Sequence, residues 1–112
     1  MAEDCIFCKI IKGDIPSTKV YEDDKMIAIN DVAPAAPVHV LLMPKDHTAN
    51  ITTADPKLVA YMLGKVKMIA EKTGIAEKGF RVVINTGDEG GQTVKHLHIH
   101  VFGGKALGWP PC

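Results

Sequence analysis

An α+β domain is what this sequence predicts: a mostly antiparallel five-stranded sheet with one short and one long helix. Three observations carry that expectation. The 112 residues suit a single domain spanning 1–112, since domains commonly run about 100–200 residues. Several short segments alternate apolar and polar residues with a period of two, the mark of half-buried strands. A further segment repeats apolar residues at three- and four-residue spacings, and it falls between the third and fourth strand candidates.

Residues 5–12 are compact and apolar, one or two helical turns stopped at Gly13, and Gly13-Asp14-Ile15-Pro16 is turn chemistry. Lys19–Glu22 and residues 26–29 read as a hairpin around Asp23-Asp24-Lys25. Residues 38–43 form a β-branched and Leu-rich strand between Pro37 and Pro44. The long helix follows, with Asp55 as N-cap, Pro56 at its first position and Gly74 as a left-handed cap. Its single apolar stripe is Leu58, Val59, Met62, Val66, Ile69 and Ala70. Residues 80–85 and 94–102 complete the pattern as two more strands, so the sheet is expected to carry helix on one face.

Charge and targeting signals exclude several function classes. Thirteen Lys and Arg balance thirteen Asp and Glu, without the basic excess of a nucleic-acid wrapper or a polybasic membrane binder. No nucleic-acid or membrane partner is expected. No run reaches the roughly 18 apolar residues of a membrane span. The acidic start, Met1-Ala2-Glu3-Asp4, lacks the pattern of a signal peptide. Three cysteines are too few and odd in number for a disulfide framework. Cys5-Ile6-Phe7-Cys8 instead suggests a reducing compartment, hence a cytoplasmic protein, with metal binding or redox chemistry at the pair.

The chemistry concentrates near the C-terminus. In His96-Leu97-His98-Ile99-His100-Val101-Phe102 the alternation places three imidazoles on one strand face and Leu97, Ile99 and Val101 on the other. Two readings stand. Histidines two apart can chelate a catalytic metal with an open water position. Alternatively, one neutral imidazole is a nucleophile toward phosphorus and its neighbours handle protons and charge. The preceding Asn85-Thr86-Gly87-Asp88-Glu89-Gly90-Gly91-Gln92-Thr93 is a glycine-rich loop able to offer backbone N–H groups to an anion, which favours the phosphate reading.

The His-Leu-His-Ile-His-Val-Phe run resembles the signature of the histidine-triad family. Asn85, the Gly90-Gly91-Gln92-Thr93 run, Pro37-Val38-His39-Val40, Pro44-Lys45-Asp46-His47, the Cys5-Ile6-Phe7-Cys8 start and the Trp109-Pro110-Pro111 ending resemble its Hint branch. The resemblance implies the family's fold and, across a homodimer, a ten-stranded sheet; an unpaired sheet edge gives a physical motive. It also implies hydrolysis of a nucleoside monophosphate, commonly AMP, from a phosphoramidate or related adenylyl conjugate. By that likeness His98 attacks the α-phosphorus to form a nucleotidyl-histidine, His100 contacts the phosphate and assists proton transfer, and His39 supports them.

Asn85, Gly91, Gln92 and Thr93 would hold the phosphate and leaving-group side, and Asp31 the ribose hydroxyls. Ile6, Phe7, Ile10, Ile29, Val32 and Leu41 would sandwich a purine base. Ile29-Asn30-Asp31 departs from the aromatic residue and histidine that many Hint-branch proteins carry before the aspartate, and Cys112 ends the chain where glycine is common, an incidental thiol. Likeness to zinc-bearing members implies a structural Zn2+ on Cys5, Cys8, His47 and His96. The competing functions are dinucleoside polyphosphate hydrolysis, nucleotide binding with little turnover, and a zinc hydrolase using the three strand histidines as ligands.

Overall fold

A computed structural model describes residues 4–111. Residues 1–3, with most of the acidic start, and Cys112 lie outside the described residues. Helix α1 (Ile6–Lys12) is capped by Cys5, whose sulfur accepts from the Cys8 N–H, and ends at Gly13 with φ +89°. That left-handed turn lets the Gly13 N–H reach the carbonyl of Ile10 and stops the helix where a side chain would be strained.

Strands β1 (Lys19–Glu22), β2 (Met26–Asn30), β3 (Val38–Pro44), β4 (Phe80–Val83) and β5 (Ile99–Gly103) form one sheet in the order β1-β2-β3-β5-β4, with every neighbouring pair antiparallel. Asp23 makes the first hairpin turn: its carboxylate accepts from the N–H groups of Lys25 and Met26 and from the hydroxyls of Tyr21 and Tyr61.

Several expectations need correction. The long helix runs as two segments, α2 (Pro56–Leu63) and α3 (Val66–Lys72). Gly64 and Lys65 keep right-handed helical backbone, but the Lys65 N–H bonds the carbonyl three residues back, at Met62, a local 3-10 tightening. The apolar stripe survives the step, since Val59, Met62, Val66, Ile69 and Ala70 all stay buried. The last strand is also shorter than residues 94–102. Its ladder with β3 starts at Leu42 opposite Ile99, because Pro44 brings no N–H and its carbonyl is taken by the His96 side chain.

Both sheet faces are covered, rather than one. On the first, α2 and α3 pack over Met26, Ala28, Val40, Leu42, Leu97, Ile99 and Val101. On the second, α1 packs Phe7 against Ile27, Ile29, Leu41 and Met43. The pleat therefore sends Leu97, Ile99 and Val101 to the larger core and turns His98 and His100 toward α1. No helix among the described residues is long and apolar enough to cross a membrane.

Candidate active site

The backbone bends at residues 94–96 before β5, yet Leu97 packs in the larger core while His96 and His98 both meet Phe7, so the three histidines still share a side of the sheet but divide between two sites. His96 is fully buried and its Nε2–H donates to the Pro44 carbonyl at 2.8 Å. A carbonyl only accepts, so the lone pair of His96 is on Nδ1. That atom points to Cys5 Sγ at 3.5 Å, Cys8 Sγ at 3.6 Å and His47 Nδ1 at 3.2 Å, and Cys8 Sγ lies 3.3 Å from His47 Nδ1. All four ligand atoms fall within 4.8 Å of one another.

A tetrahedral ion bound about 2.3 Å from sulfur and about 2.0–2.1 Å from nitrogen needs roughly 3.3 Å between nitrogens and roughly 3.6 Å between nitrogen and sulfur. The four closest spacings, 3.2 to 3.6 Å, match edges of that tetrahedron, and the two remaining ones, from Cys5 to Cys8 and to His47, lie within 4.8 Å. The donor set could hold a metal ion: electron-pair donors converge on one point, and the Pro44 carbonyl orients one ligand from behind. The reading in which His96, His98 and His100 jointly hold a catalytic ion does not survive, because His96 has both nitrogens committed elsewhere.

His98 and His100 face a cleft of about 280 Å³ with α1 along one wall. His98 is 6% exposed, and its Nδ1–H donates to the His96 carbonyl at 2.7 Å. Neutral His98 therefore carries its lone pair on Nε2. No buried side-chain nitrogen or oxygen among the described residues lacks a hydrogen-bond partner, so an Nε2 without a protein partner opens to the cleft.

His100 is fixed by a relay from behind. The Ala35 N–H donates to His39 Nδ1 at 3.1 Å, which leaves the proton of His39 on Nε2, 2.9 Å from His100 Nδ1. His100 Nδ1 accepts, and the His100 proton is on Nε2. The pair thus offers the cleft one lone pair, on His98, and one N–H donor, on His100. Burial, with the neighbouring His98 and His39, holds His100 down at about 4, so it is neutral at pH 7. Burial also lowers His39, opposed by the Asp31 carboxylate 3.5 Å away.

Of the remaining expected residues, Ile6, Phe7, Ile10, Ile29, Asp31, Val32, Leu41 and Thr93 line the same cleft. His39 stands behind His100. Asn85, Gly91 and Gln92 are placed elsewhere, in the loop's own scaffold. The Asn85 side-chain N–H donates to the Gly90 carbonyl, and the Gly91 and Gln92 N–H groups bond within the loop. Gln92 is 9% exposed; its amide oxygen accepts from the Gly87 N–H and its amide nitrogen donates to Ala49 and Val94. Gly90 is required by packing, since a Cβ there would lie 2.3 Å from the Thr86 carbonyl oxygen.

Sequence reasoning missed Ile15, Pro16, Ser17, Asn30 and Val94, which also line the cleft. Val94 was within reach, because the alternation that groups the histidines puts it on their face. The turn at residues 15–17 carries no such signal.

The HIT domain family model matches residues 12–107. The chain belongs to the histidine-triad (HIT) family. This HIT protein is 54% identical to an uncharacterized HIT-like protein of Synechococcus elongatus, with 99% of each chain covered. It is 45% identical to the 14 kDa zinc-binding protein of Brassica juncea, covering 96% of this chain and 99% of that one. It is also 45% identical to adenylylsulfatase HINT1 of Arabidopsis thaliana, covering 95% of this chain and 75% of that one. Among solved structures, a HIT family hydrolase from Legionella pneumophila superposes with TM-score 0.93 at 42% identity, covering 97% of this chain and 100% of that one. A histidine triad nucleotide-binding protein from Candida albicans gives 0.84 at 34% identity, covering 96% and 83%.

Proposed function

We propose that this HIT protein, in the manner of the Hint branch, hydrolyses nucleoside monophosphate conjugates, adenosine phosphoramidates foremost. The observation that carries the reading is the tautomer of His98, a buried imidazole whose Nδ1–H is tied to a backbone carbonyl and whose Nε2 lone pair opens into an apolar cleft. The ring needs no base to become a nucleophile. A purine fits between the aliphatic and aromatic side chains of Ile6, Phe7, Ile10, Ile29, Val32 and Leu41, with Asp31 as acceptor for ribose hydroxyls. An adenylylsulfatase and a nucleotide-binding protein among the relatives support this choice of substrate class.

His98 Nε2 forms a bond to the α-phosphorus. The bond from phosphorus to the leaving atom breaks and its electron pair departs with that atom, which takes a proton from solvent; the hydrolytic water of the second step returns one to solvent. His100 Nε2–H and the Thr93 hydroxyl donate to phosphate oxygens, preorganised dipoles in a poorly hydrated site. Because His100 is neutral, it acts as a hydrogen-bond donor and not as a cation. Water then attacks the same phosphorus, frees His98 and releases the nucleoside monophosphate.

Cys5, Cys8, His47 and His96 would hold Zn2+, which supplies a structural tie between α1 and the sheet. A zinc-binding relative supports that ion. Thiolate ligands suit a reducing cytoplasm. Two copies would join through the open β4 edge, where Phe80 and Val82 are exposed.

Brief exposure to adenosine 5′-phosphoramidate followed by mass spectrometry tests the covalent route. The expected result is an adduct of one nucleoside monophosphate, absent in His98→Ala. Turnover with His98 unmodified would refute it.

A further inference from the structure

Two contacts run from the Cys/His cluster to the ring of His98. The first passes through His96. Its ring is fixed at both nitrogens, by the cluster and by Pro44, and its own backbone carbonyl receives the His98 Nδ1–H at 2.7 Å. The second is Phe7, whose ring edge meets His98 with centroids 4.9 Å apart at 83° and His96 with centroids 5.9 Å apart at 76°.

Phe7 sits on α1, a helix of 7 residues. Such a helix does not hold its form or its place in water unaided. Its N-terminal end is set by Cys5 and Cys8, and Ile6, Phe7 and Ile10 form a wall of the cleft. Whatever gathers the four ligands therefore also sets the wall and the aim of the nucleophile.

We infer that Phe7 and His96 are positioning residues that couple the Cys/His cluster to the aim of His98, so that metal binding and nucleotide binding strengthen each other. The inference rests on the cleft being a nucleotide site and goes beyond it, making the cluster more than a clamp on the fold. Linkage requires the coupling to be reciprocal.

The test starts from zinc-loaded protein. Zinc affinity is measured by chelator competition with and without saturating AMP, and AMP affinity by calorimetry with and without zinc. Both factors should be about tenfold and equal. In Phe7→Leu, which keeps every ligand, they should fall to about twofold or less. Zinc affinity unchanged by AMP overturns the inference.

Should the chelated protein unfold, AMP would raise zinc affinity trivially, and the cobalt-substituted protein decides instead. AMP should shift its visible ligand-field bands in the parent and not in Phe7→Leu. Bands unmoved in the parent overturn the inference. AMP failing to bind zinc-loaded protein at all sinks the nucleotide reading and this inference with it, whereas AMP binding without coupling sinks this inference alone.

Discussion

Removing Gln92 should cost fold stability before it costs ligand affinity. The side chain is 9% exposed and makes three hydrogen bonds, from the Gly87 N–H and to the carbonyls of Ala49 and Val94. These join the glycine-rich loop to the segment after β3 and to the run leading into the histidines. Each such bond contributes about 1 kcal/mol net, so Gln92→Ala should destabilise by about 3 kcal/mol. For a domain of this length that lowers Tm by roughly 10 °C. Urea unfolding should show the midpoint shift with the slope unchanged. Calorimetry well below both midpoints should give AMP affinity within about threefold of the parent, because the amide has no remaining donor to offer a phosphate. Parental stability combined with a loss of affinity of tenfold or more would refute this reasoning and return Gln92 to the cleft.

Acid should weaken the fold through its buried imidazoles. His100, held at about 4 against an ordinary 6.5, and His39, also lowered, bind protons less well folded than unfolded. Their contribution is complete above the unfolded value and is lost as pH falls toward 4. Between about pH 7.5 and about pH 5, His100 alone should remove about 2 kcal/mol of unfolding free energy, checked by urea titration at the two pH values. Gly103→Ala would place a Cβ 2.8 Å from three side-chain atoms of Ile75. We expect about 1–3 kcal/mol of destabilisation, relieved in part by Ile75→Val and read from thermal melts of both variants. If β4 joins two copies, Val82→Lys should halve the mass measured by light scattering while leaving circular dichroism unchanged.

The histidine face was legible in the sequence because the apolar-polar alternation runs unbroken from residue 96 to residue 101, and that same regularity hid the bends at residues 94–96 and the later start of the strand. Only the neighbour decides the boundary: Pro44 has no N–H to give, and its carbonyl goes to His96. The stop at Gly13 and the start at Asp55-Pro56 follow local rules and were readable, whereas the cap that the Cys5 sulfur gives α1 was not. The step at Gly64–Lys65 was not, since the apolar stripe passes through it undisturbed. Asn85, Gly91 and Gln92 look like phosphate donors in one dimension, where nothing shows that the carbonyls of Gly90, Asp88, Gly87, Ala49 and Val94 accept from their N–H groups. The four-ligand cluster needed the fold to bring residues 5, 8, 47 and 96 together, and only the Cys-x-x-Cys half is local.

The relay from the Ala35 amide through His39 to His100 has one more implication. Ala35 orients His39, His39 orients His100, and the His96 carbonyl orients His98, so the donor and the acceptor that face the cleft are set by the fold and not by a ligand. Discrimination then falls to admission: what reacts is whatever can seat a phosphorus atom against that single open nitrogen.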